Sequence, residues 1–224
     1  MHTPALVLAA HGSRSRRART AFARFVNAVR HATNAEVHDA YLDVEEPSVA
    51  EVVGSINGPR TVVPMTLFDD ASIAAMLGSV GADPMVTVEP QLGPDWVLAE
   101  LMARRLFELG ARPVDSILLA AGTVTDPRGL ADVGQAARLL SGVWGGRVHI
   151  GTLGGPDTRL SDAVDVARAY GGRVVIASYV LTGGDVHDAF GQAGADAVTA
   201  PLLGDGPPDP RLVELAVKRR QPSL

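Results

Sequence analysis

Residues 5–13 read Ala-Leu-Val-Leu-Ala-Ala-His-Gly-Ser, and residues 116–123 read Ser-Ile-Leu-Leu-Ala-Ala-Gly-Thr. Each is an unbroken apolar run that stops at a small, tight turn, the pattern of a strand buried on both faces. The echo continues downstream. Arg60-Thr-Val-Val answers Arg173-Val-Val-Ile, and Leu77-Gly-Ser-Val-Gly-Ala-Asp83 answers Phe190-Gly-Gln-Ala-Gly-Ala-Asp196. Both pairs are 113 residues apart (173 minus 60, 196 minus 83). The chain therefore reads as two fused copies of one unit, residues 1–112 and 113–224, joined at Gly110-Ala111-Arg112-Pro113. A fused duplication carries a pseudo-two-fold axis and a cleft between its halves, a preferred place for ligands.

Apolar runs alternate with helical patterns in each copy. In the first, the run at 6–10 is followed by Ala18, Phe22, Phe25, Val26 and Val29 at helical spacing. Strands follow near 36–42, 61–67 and 84–88, with helices opened by Pro47 and placed at 71–80 and 96–109. The second copy repeats the order, with strands near 116–121, 147–152, 173–181 and 197–200. Its helices fall near 129–140, 160–170, 186–193 and 210–219, and the tail at 221–224 is expected to fray. Strand–helix alternation with continuous apolar strands predicts an α/β fold: two tandem four-stranded parallel sheets, each flanked by helices.

Composition narrows the function. With 46% hydrophobic and 20% charged residues, 224 residues can build a core. A net charge of −5 argues against nucleic acid as the main partner. The absence of cysteine excludes disulfides, thiolate metal sites and cysteine nucleophiles. The run from Pro4 to Ala10 is too short for a secretory core, and no stretch is long enough to span a bilayer, so a cytoplasmic protein is expected. The duplication makes a functional monomer plausible.

In parallel α/β units, ligands bind beyond the carboxyl ends of the strands. His11 stands there, followed by Gly12 for a tight turn and Ser13 as a helix cap. Arg14 and Arg16 add guanidiniums at a helix N-terminus, a setting for carboxylates or phosphates. No Gly-rich phosphate loop is present. Asp69, Asp70, Asp43 and Glu45-Glu46 are acids on the same rim, with solvated loop charges as the plain alternative for Asp43, Glu45 and Glu46. His187 opens a helix in the second copy. Matching the copies pairs His11 with Ala121 and His187 with Ala74, so each half fills one histidine slot and leaves the other empty. That complementarity suggests one cavity shared by His11 and His187; a solvent-facing His187 is the alternative. His38 and His149 are repeat partners on second strands, read as structural or surface residues, and His2 and His31 carry no context.

The segments Leu-Val-Leu-Ala-Ala-His-Gly-Ser-Arg and Ala-Tyr-Leu-Asp-Val-Glu-Glu-Pro-Ser resemble the sirohydrochlorin chelatase family, the cobalto- and ferrochelatases of cobalamin and siroheme synthesis. Ala-Ser-Tyr-Val-Leu-Thr-Gly-Gly-Asp-Val-His-Asp is similar to the second half of two-domain members, so the resemblance spans nearly the whole chain. It implies insertion of Fe²⁺ or Co²⁺ into a tetrapyrrole, with no cofactor beyond that divalent metal. It also implies catalytic histidines at His11 and after a third strand, and substrate carboxylates held by Ser13, Arg14 and Arg16. Where the first half of the family carries its second histidine, this chain reads Asp69-Asp70-Ala71-Ser72-Ile73-Ala74-Ala75-Met76. His187, or Asp69 and Asp70 as carboxylate substitutes, are then the candidate metal ligands beside His11. A non-catalytic tetrapyrrole- or metal-binding relative is the alternative, and a small-molecule α/β binder of another kind is a third.

Overall fold

The computed structural model describes residues 3–219, so His2 and the tail at 221–224 lie outside the described residues. The first half runs β1 (Ala5–Ala10), α1 (Arg16–Ala32), β2 (Val37–Tyr41), α2 (Val49–Ser55), β3 (Arg60–Pro64), α3 (Ala71–Val80), β4 (Val86–Val88) and α4 (Trp96–Glu108). The second half runs β5 (Ser116–Thr123), α5 (Pro127–Trp144), β6 (Val148–Gly154), α6 (Leu160–Ala169), β7 (Val174–Ser178), α7 (Asp185–Phe190), β8 (Ala197–Val198) and α8 (Pro210–Arg219). All pairings are parallel, in two four-stranded sheets ordered β2-β1-β3-β4 and β6-β5-β7-β8.

The central strands β1 and β5 explain the uninterrupted apolar runs. Every residue of β1 is buried, as are the six from Ile117 to Gly122 in β5, because helices cover both faces. On one face of the first sheet, Val7, Ala9 and Val62 pack with Val49, Val52 and Val53 of α2 and Leu77 of α3. The same layer recurs in the second unit, where Leu118, Ala120 and Ile176 pack with Leu160, Ala163, Val164 and Ala167 of α6. The buried stripe of α1 is Ala18, Ala21, Phe22, Phe25, Val26 and Val29, the spacing read from sequence. Helix α5 is longer than the 129–140 expected. Asp126 caps it ahead of Pro127, and it ends at Gly145 with φ 77°.

The compact units do not follow the expected cut at 112/113. One comprises the residues up to Leu92 together with those from Asp205 on; the other is Gly93–Gly204. Each half's last helix thus packs with elements of the other half: α4 lies against α5 and β7, and α8 against α1. The cause is where apolar faces find cover. Leu98, Leu101, Met102 and Leu106 of α4 are buried in the second unit, and Leu212, Val213 and Leu215 of α8 in the first. The returning chain is held in the first unit by Arg17, which forks onto Asp205 (2.7 and 2.6 Å), and by Arg24, which donates to the Asp205 carbonyl.

Strand register also corrects the matching of the copies. Ala10 pairs with Tyr41 and Ala121 with Thr152, a shift of 111 on both strands (121 minus 10, 152 minus 41). The helix caps Asp70 and Gly184 differ by 114. His11 therefore corresponds to Gly122, not Ala121, and His187 to Ile73, not Ala74. No helix among the described residues is long and apolar enough to cross a membrane.

Candidate functional site

His11 directly follows β1, on the carboxyl-end rim of the first sheet, and is exposed. Its Nδ1 lies 3.2 Å from Asp43 Oδ2, and the other oxygen of the same carboxylate accepts the Gly12 N–H at 3.0 Å. An ionised carboxylate only accepts, so Nδ1 carries the proton and Nε2 keeps its lone pair. The next acid along this loop continues the pattern. Glu45 Oε1 accepts the Ser13 N–H at 2.7 Å, and Glu45 Oε2 lies 3.9 Å from Arg19 Nε. Two carboxylates from the loop after β2 therefore hold the turn after β1.

Local geometry makes this possible. A Cβ on Gly12 would sit 2.3 Å from the Asp43 carbonyl oxygen and 2.7 Å from Glu45 N, so only glycine admits this approach. Between the two acids, Val44 has φ 62° and stands exposed, while Glu45 N–H donates to the Asp43 carbonyl at 2.6 Å. That three-residue turn is a strained conformation for a β-branched residue. Shifted by 111, Val44 corresponds to Gly155, which has φ 114°. The second unit thus places glycine where the first tolerates valine.

The structure reassigns several residues. Ser15, not Ser13, caps α1, accepting from Ala18 N; Ser13 Oγ instead accepts from Ser15 N at 3.1 Å. Arg14 and Arg16 are exposed, and among the described residues their guanidiniums have no hydrogen-bond or ion-pair partner, in contrast to Arg17 and Arg19. Asp70 caps α3, with Oδ1 accepting from Ser72 N (2.9 Å), Ile73 N (3.2 Å) and the Ser72 hydroxyl. The Ser72 hydroxyl bond is the main cause holding its carboxyl below the usual range, against partial burial, and the Ile73 and Ser72 N–H bonds add to the effect. Asp69 is half-buried and has a partner of its own.

In the second unit His187 is the third residue of α7 and half-buried. Its Nε2 lies 2.9 Å from the Thr199 carbonyl, and its ring packs edge-on to Phe190. A carbonyl accepts, so Nε2 carries the proton and Nδ1 is left with the lone pair. Among the described residues no group of three or more His, Asp or Glu is gathered as a metal site. Asp43 and Glu45 are the residues that sequence reasoning passed over as site members. Their signal was present: they follow the second strand on the ligand rim, directly across from the His11 turn.

Residues 5–109 match the CbiX family model. No curated protein sequence matches the chain. Among solved structures, SirB from Bacillus subtilis with Fe³⁺ superposes with a TM-score of 0.77 at 18% identity, over 98% of this chain and 94% of that one. The sirohydrochlorin chelatase SirB from Bacillus subtilis subspecies spizizenii, in complex with cobalt, gives 0.74 at 16% identity over the same shares. The fold is that of the sirohydrochlorin chelatases. CbiX, the terminal enzyme of siroheme biosynthesis in denitrifying bacteria, is similar as well, with a TM-score of 0.64 at 17% identity over 96% of this chain and 98% of that one. The CbiX match ends within one residue of α4, so it takes in His11, Asp43, Glu45 and the whole first sheet.

Proposed function

We propose that the protein is a sirohydrochlorin chelatase-like lyase of the cytoplasm that inserts Fe²⁺ or Co²⁺ into a tetrapyrrole without a further cofactor. The observation that carries this is His11, held through Nδ1 by Asp43 with Nε2 free, on the ligand rim of a chelatase fold. Insertion exchanges two pyrrole N–H protons for one divalent ion. A neutral imidazole can bind such an ion or accept such a proton, and Asp43 stabilises the imidazolium that forms. His187 is assigned as the second imidazole, with Nδ1 as its working atom. Arg14 and Arg16, whose guanidiniums have no partner among the described residues, are assigned to substrate carboxylates. The capping of Asp70 argues against it as the replacement ligand, because one of its oxygens already serves three donors.

A binding role without catalysis draws support from one observation: Ile73 stands at the α3 position that corresponds to His187. The two readings part in a single assay. The protein is incubated with metal-free sirohydrochlorin and Co²⁺, and the absorbance change is compared with the uncatalysed rate. Acceleration that is lost in His187→Ala supports the chelatase with His187 in its mechanism. Acceleration that survives removes His187, and no acceleration with retained tetrapyrrole binding favours the non-catalytic relative.

A further inference from the structure

The Thr199 carbonyl that holds His187 accepts twice, from His187 Nε2 at 2.9 Å and from the Ser178 hydroxyl at 2.7 Å. Ser178 also bonds the Thr199 side chain, its backbone N–H donating to Thr199 Oγ1 at 2.9 Å. Ser178 ends β7, and Thr199 directly follows β8, the neighbour of β7 in the sheet. Both residues are buried. Thr199 N–H donates to the Ile176 carbonyl at 2.9 Å, so Thr199 is fixed at its N–H, its hydroxyl and its carbonyl. A carbonyl has two lone pairs, and here each has a donor. The helix that carries His187 adds little of its own. It is six residues long, and its N-cap, Gly184, makes no side-chain cap bond. A helix that short is held by its contacts rather than by its own ladder.

The duplication supplies an internal comparison. Ser178 pairs with Ala120 and Pro64 with Ala9, so Ser178 corresponds to Pro64, a shift of 114 (178 minus 64). Val198 corresponds to Val88, since they pair with Ile176 and Val62. Thr199 then corresponds to Glu89, whose N–H donates to the Val62 carbonyl at 2.9 Å just as that of Thr199 does to Ile176. His187 corresponds to Ile73. Pro64 offers neither hydroxyl nor N–H, and Glu89 has no hydroxyl. The unit without the imidazole therefore also lacks both residues that grip its carbonyl. That unit closes the same strand ends without them, so the fold itself does not require the pair.

We infer that Ser178 and Thr199 are positioning residues for His187: they fix the carbonyl that keeps the proton on Nε2 and presents the Nδ1 lone pair. The inference rests on the assignment of His187 as the second imidazole. Without the Ser178 hydroxyl the carbonyl loses its fixed direction, and the ring is free to turn or to move its proton to Nδ1.

Ser178→Ala is the main test, because the carbonyl keeps His187 as a donor and the fold loses one hydroxyl bond. Thr199→Val removes the acceptor of the Ser178 N–H, and Thr199→Ser is the conservative variant. Ser116→Ala is the control: its hydroxyl also donates to a carbonyl, that of Ala167 at 3.2 Å, at the amino end of β5. Ring ¹⁵N spectra of the full chain, recorded well above the ordinary histidine pKa, show which nitrogen of His187 carries the proton, and His187→Ala assigns the signals. The rate of Co²⁺ insertion into sirohydrochlorin is measured on the same samples. Wild type, Thr199→Ser and Ser116→Ala should show the Nε2–H form. Ser178→Ala and Thr199→Val should show a mixture of both forms and a rate lower by about tenfold, the scale of a partner that orients a histidine. In a His187→Ala background Ser178→Ala should cost nothing further, a non-additivity that a general loss of stability does not produce. An unchanged tautomer in folded Ser178→Ala and Thr199→Val overturns the inference, as does a fully additive rate loss in the double variant. If wild type does not insert cobalt, or His187→Ala does so at the wild-type rate, the functional reading of His187 fails, and the spectra still decide whether the pair sets its tautomer.

Discussion

Asp43 grips the His11 turn with both oxygens, Oδ2 at 3.2 Å from His11 Nδ1 and Oδ1 accepting the Gly12 N–H at 3.0 Å. One carboxylate therefore sets both the backbone of the turn and the tautomer of the imidazole. Asn in its place can keep the Gly12 bond through its carbonyl oxygen but loses the negative charge beside Nδ1. Asp43→Asn is expected to lower the rate of cobalt insertion by about 10- to 100-fold, the usual scale for an orienting partner of a histidine, with little loss of Tm. A wild-type rate would show that His11 needs no partner.

Gly12 and the loop after β2 approach too closely for any side chain. Gly12→Ala places a methyl 2.3 Å from the Asp43 carbonyl oxygen, so backbone must move on one side or the other. A destabilisation of about 1–3 kcal/mol is expected, the scale of overpacking, together with loss of activity. Denaturant melts at unchanged slope measure it, and a midpoint equal to wild type would contradict the described contact.

Much of this fold was legible because it is written in local patterns. Continuous apolar strands at 6–10 and 116–121 and the stripe Ala18, Phe22, Phe25, Val26 and Val29 dictate parallel sheets covered by helices. His11 was legible as the residue where β1 ends. The exchange of α4 and α8 was not, because an amphipathic helix states only that one face needs cover, not which sheet provides it. Asp43 and Glu45 were passed over for a related reason. An acid in a loop reads as solvated until the approach of Gly12 brings backbone N–H groups to it.

Val44 holds a positive φ that its counterpart Gly155 adopts without strain. Such strain amounts to about 1–3 kcal/mol, and the extra unfolded-state freedom of glycine offsets about 0.5–1 of it. Val44 is 61% exposed, so little burial is lost. Val44→Gly is expected to raise Tm slightly while leaving insertion activity intact. A clear fall in Tm would mean that the valine side chain contributes packing that outweighs the strain.

His149 supplies a pH dependence. Burial, and secondarily the charge of Arg147, lower its pKa, and its ring lies 5.3 Å from that of Tyr170. The unfolded chain then takes up the proton first as pH falls through about 6.5, the ordinary histidine value, so stability declines from there down to the folded-state pKa. His149→Gln removes that contribution. Between pH 7.5 and 5.5 the variant should lose less Tm than wild type, and equal losses would show that His149 titrates alike in both states.

The central claim is that His11 Nε2, held ready by Asp43, takes part in moving metal into the macrocycle. The direct measurement is the initial rate of Co²⁺ insertion into sirohydrochlorin by His11→Ala, with circular dichroism and Tm showing that the variant folds. The account predicts a fall of at least about tenfold at saturating substrate, the lower end for loss of a ligand or general base. A folded His11→Ala protein that inserts cobalt at the wild-type rate would contradict it.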